Sequence, residues 1–396
     1  MGKSRGRRAA PKPPKEHKAL IDRKHITLPI FIFIVALVVG PAASNWSNES
    51  KPVGIPTISP APTLVVTEPS LAPLPVSPDL TFATYNIAKP TNNDVPKWSK
   101  RRAAIAKTIN ESHSDVVGIQ EATAATVTGD NGKRLTHWSD VQALTAPAGY
   151  VAPKVFENHC GGGYTCIHSG HILFNKKTIS QVKLSAGLPS AGQGKLSDIT
   201  KGLKYAKNRE FSWAYLESKN GTGPFLAISV HLNNEKNKTG KADRAKVGAA
   251  LTKWAEELNS KSKMKNTPMV LMGDFNSYAK REPKGLAYQL GKDGWTDSYN
   301  SAEDKYQLFE KAYTTSYTKG NRSGWPKKPI TSGNPVRIDY IMFKGAGLRS
   351  DIYAVSLKLN DDGTFDNSYR GSDHMMVQTV IHFDKASPAP TTTATP

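Results

Sequence analysis

Gly273-Asp274-Phe275-Asn276 and Ser372-Asp373-His374 are the two stretches of this chain best suited to chemistry. Each sets a carboxylate beside a second polar group, Asn276 in one and His374 in the other, and each abuts an apolar, strand-like run. Hard oxygen donors at strand ends, joined by a histidine able to move a proton, suit hydrolysis of phosphate esters assisted by a divalent ion. Asn86, Glu121 and His231 extend the pattern. With Asp274, each stands at or just after the C-terminal end of a run that reads as a strand. In layered α/β folds such positions project past the sheet into a crevice where ligands collect. Singly, each has a plainer reading: Asn86 caps a turn, Glu121 caps a helix, and Asp339 pairs with its neighbour Arg337. Together they weigh toward a site.

The elements that must position these residues follow from periodicity. Strands are predicted at 80–85, 116–119, 171–174, 211–216, 225–230, 269–272, 338–343 and 376–383. Helices are predicted at 100–112 and 241–259, the second carrying Val247, Leu251, Trp254 and Leu258 along one face as core packing. Many strands interleaved with helices predict a sheet-rich α/β (α+β) body flanked by helices.

That body, residues 79–385, is expected to be one domain of a longer layout. The 396-residue chain carries a net charge of +20, and its first 24 residues hold nine basic side chains against two acidic ones. Residues 25–44 are nearly all apolar behind that basic leader, which predicts a transmembrane signal-anchor or signal peptide with the N-terminus cytoplasmic. Residues 45–78, rich in Pro, Ser and Thr, read as an extended stalk, and 386–396 as a disordered tail. The protein is thus expected at the outer face of the membrane or secreted. In that setting Cys160 and Cys166, which bracket a glycine-rich spacer, are expected to form a disulfide. A zinc site helped by His159 and His168 is the weaker alternative. No protein partner is evident, and a monomer is expected.

Six segments in this order resemble the endonuclease/exonuclease/phosphatase superfamily. They are Thr84-Tyr85-Asn86-Ile87, Val117-Gly118-Ile119-Gln120-Glu121, Ser229-Val230-His231-Leu232, Gly273-Asp274-Phe275-Asn276, Arg337-Ile338-Asp339-Tyr340 and Gly371-Ser372-Asp373-His374. The resemblance spans about residues 79–384 and implies a four-layered sandwich, with two mixed β-sheets face to face and helices outside. It implies Mg2+, with Mn2+ or Ca2+ as alternatives, held by Glu121, Asn86 and Asp373. It implies further that Asp274 activates water and that Asn276 and His231 bind the phosphate. His374 would serve as base or phosphate-polarising imidazole, oriented by Asp339. Arg209 falls where relatives carry a phosphate-binding arginine; an exposed arginine is the plainer reading.

A basic body favours nucleic acid as substrate, since each phosphate contact gains from counterion release. A sphingomyelinase-like lipid hydrolase is the alternative, and a catalytically silent binding module on a stalk is an alternative of another class. The segment 319–334, with Trp325 and several basic residues, is either a substrate contact or a surface loop.

Overall fold

The computed structural model describes residues 79–154, 169–185, 187–306, 314–315, 320–329 and 336–384. The predicted leader, membrane segment, stalk and tail, and the Cys160–Cys166 pair with His159 and His168, lie outside the described residues. Among the described residues no helix is long and apolar enough to cross a membrane.

In chain order the elements begin with β1 (Asp79–Asn86), α1 (Trp98–Glu111), β2 (Val116–Gln120), a hairpin of β3 (Thr126–Thr128) and β4 (Arg134–Thr136), and α2 (His137–Thr145). Next come β5 (Tyr150–Val151), β6 (Gly170–Asn175), β7 (Ile179–Gln181), β8 (Ala191–Lys195), α3 (Leu196–Ile199), β9 (Glu210–Ser218) and β10 (Pro224–His231). The rest are α4 (Lys238–Lys261), β11 (Met269–Asp274), α5 (Leu286–Lys292), β12 (Thr296–Asp297), α6 (Ser298–Ser301), β13 (Asp304–Tyr306), β14 (Asp339–Lys344), β15 (Leu348–Ser356) and β16 (Met376–Phe383). Among the described residues one sheet runs β13-β15-β16-β1-β2-β6-β5 and the other β12-β14-β11-β10-β9-β7, with β8 also on β9. Each is mixed: β1–β2 and β10–β11 are parallel inside otherwise antiparallel neighbourhoods.

Period-two alternation builds the layers. In β10, Phe225 and Ala227 join the core between the sheets, whereas Leu226, Ile228 and Val230 join the core under α4 and α5. Strand β11 divides likewise, Val270 and Met272 inward and Met269 and Leu271 outward, as β14 does with Ile341 and Phe343 against Tyr340 and Met342. Phe225 joins the sheets, its ring 5.4 Å from Phe82 and 5.7 Å from Phe383. On the outer layer Val247 and Leu251 of α4 are buried, and Trp254 and Leu258 pack against the same core, as the helical stripe requires. The α4 helix starts where Asn237 accepts a hydrogen bond from the Gly240 amide, satisfying one of the free donors of its first turn.

Near the carboxyl ends of the parallel strands the two sheets come close. A Cβ on Gly170 would lie 2.3 Å from the Ser229 carbonyl oxygen of the facing sheet, so only glycine fits there. Side chains pin the approach, Gln120 Nε2 donating to Ser229 Oγ at 3.3 Å and Ser212 Oγ to the Gly170 carbonyl at 2.5 Å. Two sets of strand ends are thereby brought to one rim.

Candidate active site

Register places the polar residues on that rim. Asn86 closes β1, and Glu121 follows β2, its parallel neighbour. Pairing sets His231 level with Asp274 across β10 and β11, and Asp274 opposite Asp339 across β11 and β14. His374 comes from the loop that leads into β16.

Hydrogen bonds join the two sheets there. The Asn86 amide donates to Asp274 Oδ2 at 3.0 Å and to Glu121 Oε1 at 3.3 Å. Glu121 Oε2 accepts from the Lys89 amide at 2.8 Å. Asp274 Oδ1 accepts from the Asn276 amide at 2.8 Å, and the Asn276 side chain donates to the Leu232 carbonyl at 3.0 Å. Asp339 receives His374 Nδ1–H at 2.9 Å, which aims His374 Nε2 to within 3.9 Å of Asp274 Oδ2. His231 Nε2 lies 3.5 Å from the same oxygen. Glu121 and Asn276 both have positive φ, 64° and 49°. Such backbone in a non-glycine residue is strained and persists only where the surroundings hold it, as they often do at functional sites.

Glu121, Arg209, His231, Asp274, Asn276, Asp373 and His374 line a cavity of about 530 Å³. Asn86 and Asp339 stand behind it, in contact with its lining through the bonds above. All nine site residues expected from the sequence are therefore gathered in one place. The mouth adds Lys89, Lys204 and Lys207.

Burial governs the electrostatics. It pushes the Asp274 carboxyl up to about 7, with Asp339 adding to the rise and His374, Asn86 and the Asn276 amide opposing it. Asp373 is also raised, by burial first, and nearby Glu121 adds to it. Burial pulls His374 down, but Asp339, by charge and by hydrogen bond, outweighs it and holds the imidazole well above its ordinary value. Asp339 thus favours the protonated imidazole of His374, whose Nε2 faces Asp274, and burial favours a proton on Asp274.

The structure corrects two plainer readings and, for Trp325, the reading as a substrate contact. Arg209 is not an exposed arginine: it is 8% exposed, its Nη1 has no hydrogen-bond partner among the described residues, and burial draws it down to about 10 against the pull of Asp274, Glu121 and Glu235. Asp339 does not pair with Arg337, which instead grips Asp297 at 2.6 Å and stacks over Tyr340 at 4.1 Å. Trp325 does not reach the cavity; its ring is covered by the Arg370 guanidinium at 4.5 Å, and none of residues 320–329 lines the pocket. His171 satisfies a local bond, its Nε2 lying 2.8 Å from the Ala122 carbonyl.

A hard divalent cation fits the donor set. Glu121 and Asp373 offer carboxylate oxygens, and Asn86 an amide oxygen that also accepts from the Ala88 amide at 3.0 Å while its nitrogen bonds Glu121 and Asp274. Asp274, Asp339 and His374 also lie close enough to share an ion, but Asp339 is already committed to His374 Nδ1.

With fold and site on the page, the comparisons with known proteins agree. The sequence profile of the Endonuclease/Exonuclease/phosphatase family matches residues 83–374, and the chain belongs to that family. It is a phosphoric ester hydrolase of a kind that is generally dependent on divalent metal. Comparison with curated proteins gave no match. Among solved structures the chain is similar to a family member from Bacteroides thetaiotaomicron, with TM-score 0.55, 20% identity, and 78% of this chain and 99% of that one covered. A mannosyl-6-phosphatase of the same organism gives 0.54 and 20%, over 76% and 99% of the two chains. The human nocturnin catalytic domain with bound sulfate gives 0.50 and 18%, over 77% and 94%. At these identities the likeness shows the shared two-sheet sandwich.

Proposed function

We propose that this chain is an exported, Mg2+-dependent phosphodiesterase that hydrolyses nucleic acid, with Mn2+ or Ca2+ as alternative ions. The observation that carries the proposal is a single cavity lined by the carboxylates Glu121, Glu235, Asp274 and Asp373 and by the cations Lys89, Lys204, Lys207 and Arg209. The carboxylates suit an ion and a water nucleophile; the cations suit a polyanion reaching beyond the scissile phosphate. Export is supported by the basic leader and apolar run of residues 1–44.

Glu121, Asp373 and Asn86 would hold the ion, which when bound would neutralise charge on the phosphoryl group. Asp274 takes the proton of the attacking water. His374 donates from Nε2 to a phosphoryl oxygen as negative charge builds, and Asp339 keeps it protonated and aimed. His231, Asn276 and the free Nη1 of Arg209 hold the remaining oxygens.

A second reading, a sugar phosphomonoesterase, is favoured by the cavity lining, where among the described residues Tyr205 is the one Phe, Tyr or Trp side chain and asparagines abound. Strands of nucleic acid usually gain from aromatic stacking. The mannosyl-6-phosphatase among the structural neighbours points the same way. A lipid hydrolase is less favoured, since Tyr288 and Tyr306 are the large apolar side chains exposed among the described residues.

The test is the full chain incubated with plasmid DNA, RNA, mannose 6-phosphate and sphingomyelin vesicles, in Mg2+ or in EDTA. Ion-dependent cleavage of DNA or RNA is expected. Turnover of the sugar phosphate alone selects the second reading, turnover of lipid alone overturns both, and no turnover of any ester leaves a binding module.

A further inference from the structure

Arg101 is fully buried in α1, and its guanidinium bonds to main-chain carbonyls. Nε donates to Pro96 at 3.1 Å. Nη1 donates to Ile87 at 2.5 Å and Gly371 at 2.9 Å, and Nη2 donates to Ala88 and, at 3.3 Å, to Lys89. Five N–H groups thus meet five carbonyls, which is all an arginine can offer. These carbonyls belong to two loops that meet at the cavity. One follows Asn86 and carries Lys89, whose amide fixes Glu121; the other precedes Asp373 and His374. Ala88, in the first of them, has φ of 54°, a conformation that needs support in a residue with a side chain. Ser372 adds a second tie between the loops, its Oγ donating to the Asn86 carbonyl at 2.7 Å.

The charges that act on this guanidinium belong to the same site. Asp373 and Glu121 both stabilise the buried cation, though burial dominates and draws it down to about 10. Its hydrogen bonds go to carbonyls and its field falls on the carboxylates assigned to the ion. A side chain needed only to pack α1 has no reason to span both loops.

We propose that Arg101 is a positioning residue of the metal centre: it locks the Asn86–Lys89 and Gly371–His374 loops at the spacing at which Glu121, Asn86 and Asp373 share one divalent ion. This rests on the ion assignment proposed above. A lysine cannot replace it, because an ammonium is a single point with no planar fork to bridge two loops.

The experiment compares Arg101→Lys and Arg101→Gln with Arg102→Gln in the full chain. Arg102 is the neighbour that pairs with Asp140 and Asp130, away from the cavity. Mg2+ and Mn2+ affinity is read by calorimetry without substrate, and amide hydrogen exchange is read in EDTA. The two Arg101 variants are expected to keep the fold by circular dichroism and to lose roughly tenfold or more in ion affinity, the usual scale for groups that support ligands. Exchange is expected to quicken at 87–89 and 371–374 alone, and Arg102→Gln to leave ion affinity within twofold of the unaltered chain. Unchanged affinity in both Arg101 variants overturns the proposal. So does exchange that quickens across the sheets, or failure of both to fold, since Arg101 then supports the fold rather than the site. If the unaltered chain binds no ion, the proposed function fails separately, and loop-confined exchange still decides whether Arg101 sets the spacing.

Discussion

Two histidine–carboxylate clusters lie near opposite ends of β16, one where it pairs with the start of β1 and one where His374 precedes it and meets β11 and β14, and the two are chemically unlike. At the start of β1, Asp79 lies opposite His382, whose Nδ1 is 2.6 Å from its carboxylate and whose Nε2 is 3.1 Å from Asp384. Asp351 stands close by, and Arg349 reaches both Asp351 and Asp384. About 24 Å along the strand, at its other end, stand Asp274, Asp339 and His374. Both groups are two aspartates and a histidine at ligand spacing. The far carboxylates of Asp79 and Asp384 are 38% and 57% exposed, whereas those of Asp339 and Asp274 are 0% and 2% exposed. Exposed pairs are screened by water and contribute little, typically 0–1 kcal/mol. In the buried group, water is replaced by fixed neighbours, so each protonation state is set by the protein. Residue identity brings either cluster to notice; desolvation sets one of them apart.

The largest effect expected from this contrast is on turnover. His374→Ala and Asp274→Asn are each expected to lower kcat on the preferred ester by about 10²–10⁴-fold, the usual worth of a positioned acid or base, with folding retained. His382→Ala, which disrupts the far cluster, is expected to stay within twofold in the same assay. Steady-state kinetics on the three proteins decides it, and equal losses at both ends would remove the distinction drawn here. Smaller, at about 10–100-fold in kcat with little change in KM, is the expected effect of Asp339→Asn. The amide oxygen can still accept from His374 Nδ1, so aim survives while charge is lost. Without the influence that outweighs burial, His374 loses its proton at lower pH. The high-pH limb of the rate profile should therefore move toward acid, and a profile that stays in place would mean Asp339 only positions the ring.

Much of this contrast was legible in the sequence, because strand ends were. The runs leading to Asn86, Glu121, His231 and Asp274 are apolar and short, and their ends fall within one or two residues of prediction. The missed elements lack that signal. In β15, Arg349, Ser350 and Asp351 break the alternation, and a bulge between Ser350 and Ile352 breaks the register. Helices α2 and α5 are nine and seven residues long, too short for a stripe to declare itself. Arg209 is ambiguous in the sequence because nothing in Asn208-Arg209-Glu210 marks it as buried. Arg101 was overlooked among the run Lys100-Arg101-Arg102, though a signal existed. Trp98, Arg101, Ile105 and Ile109 share helical spacing and are all buried, so the arginine stands on the apolar face. Spacing also suggested Arg337 for Asp339, but Asp297 and the faces of Tyr299 and Tyr340 hold that guanidinium instead.

His137 extends the comparison to a buried histidine outside the cavity lining, and it yields the smallest effect. It is fully buried, its Nδ1 accepts from the Thr123 amide at 3.3 Å, and its ring meets Trp98 edge-on at 4.1 Å. An accepting nitrogen must be unprotonated, and burial first, then the Arg101 charge, holds His137 well below its ordinary value. The sign follows from linkage. Below a pH of about 6.5 the unfolded chain takes a proton that the folded chain refuses, so stability falls as pH falls, by up to about 1.4 kcal/mol per pH unit. Above that pH the group contributes no slope. His137→Gln keeps an acceptor for Thr123 but cannot titrate. Its urea midpoint should run parallel to that of the unaltered chain between pH 7 and 8, and the gap between them should narrow steadily toward pH 5. Other acidic groups load both proteins alike, so the difference isolates this ring. Curves that stay parallel down to pH 5 would mean His137 is protonated in the folded state, and that the Thr123 contact does not need its lone pair.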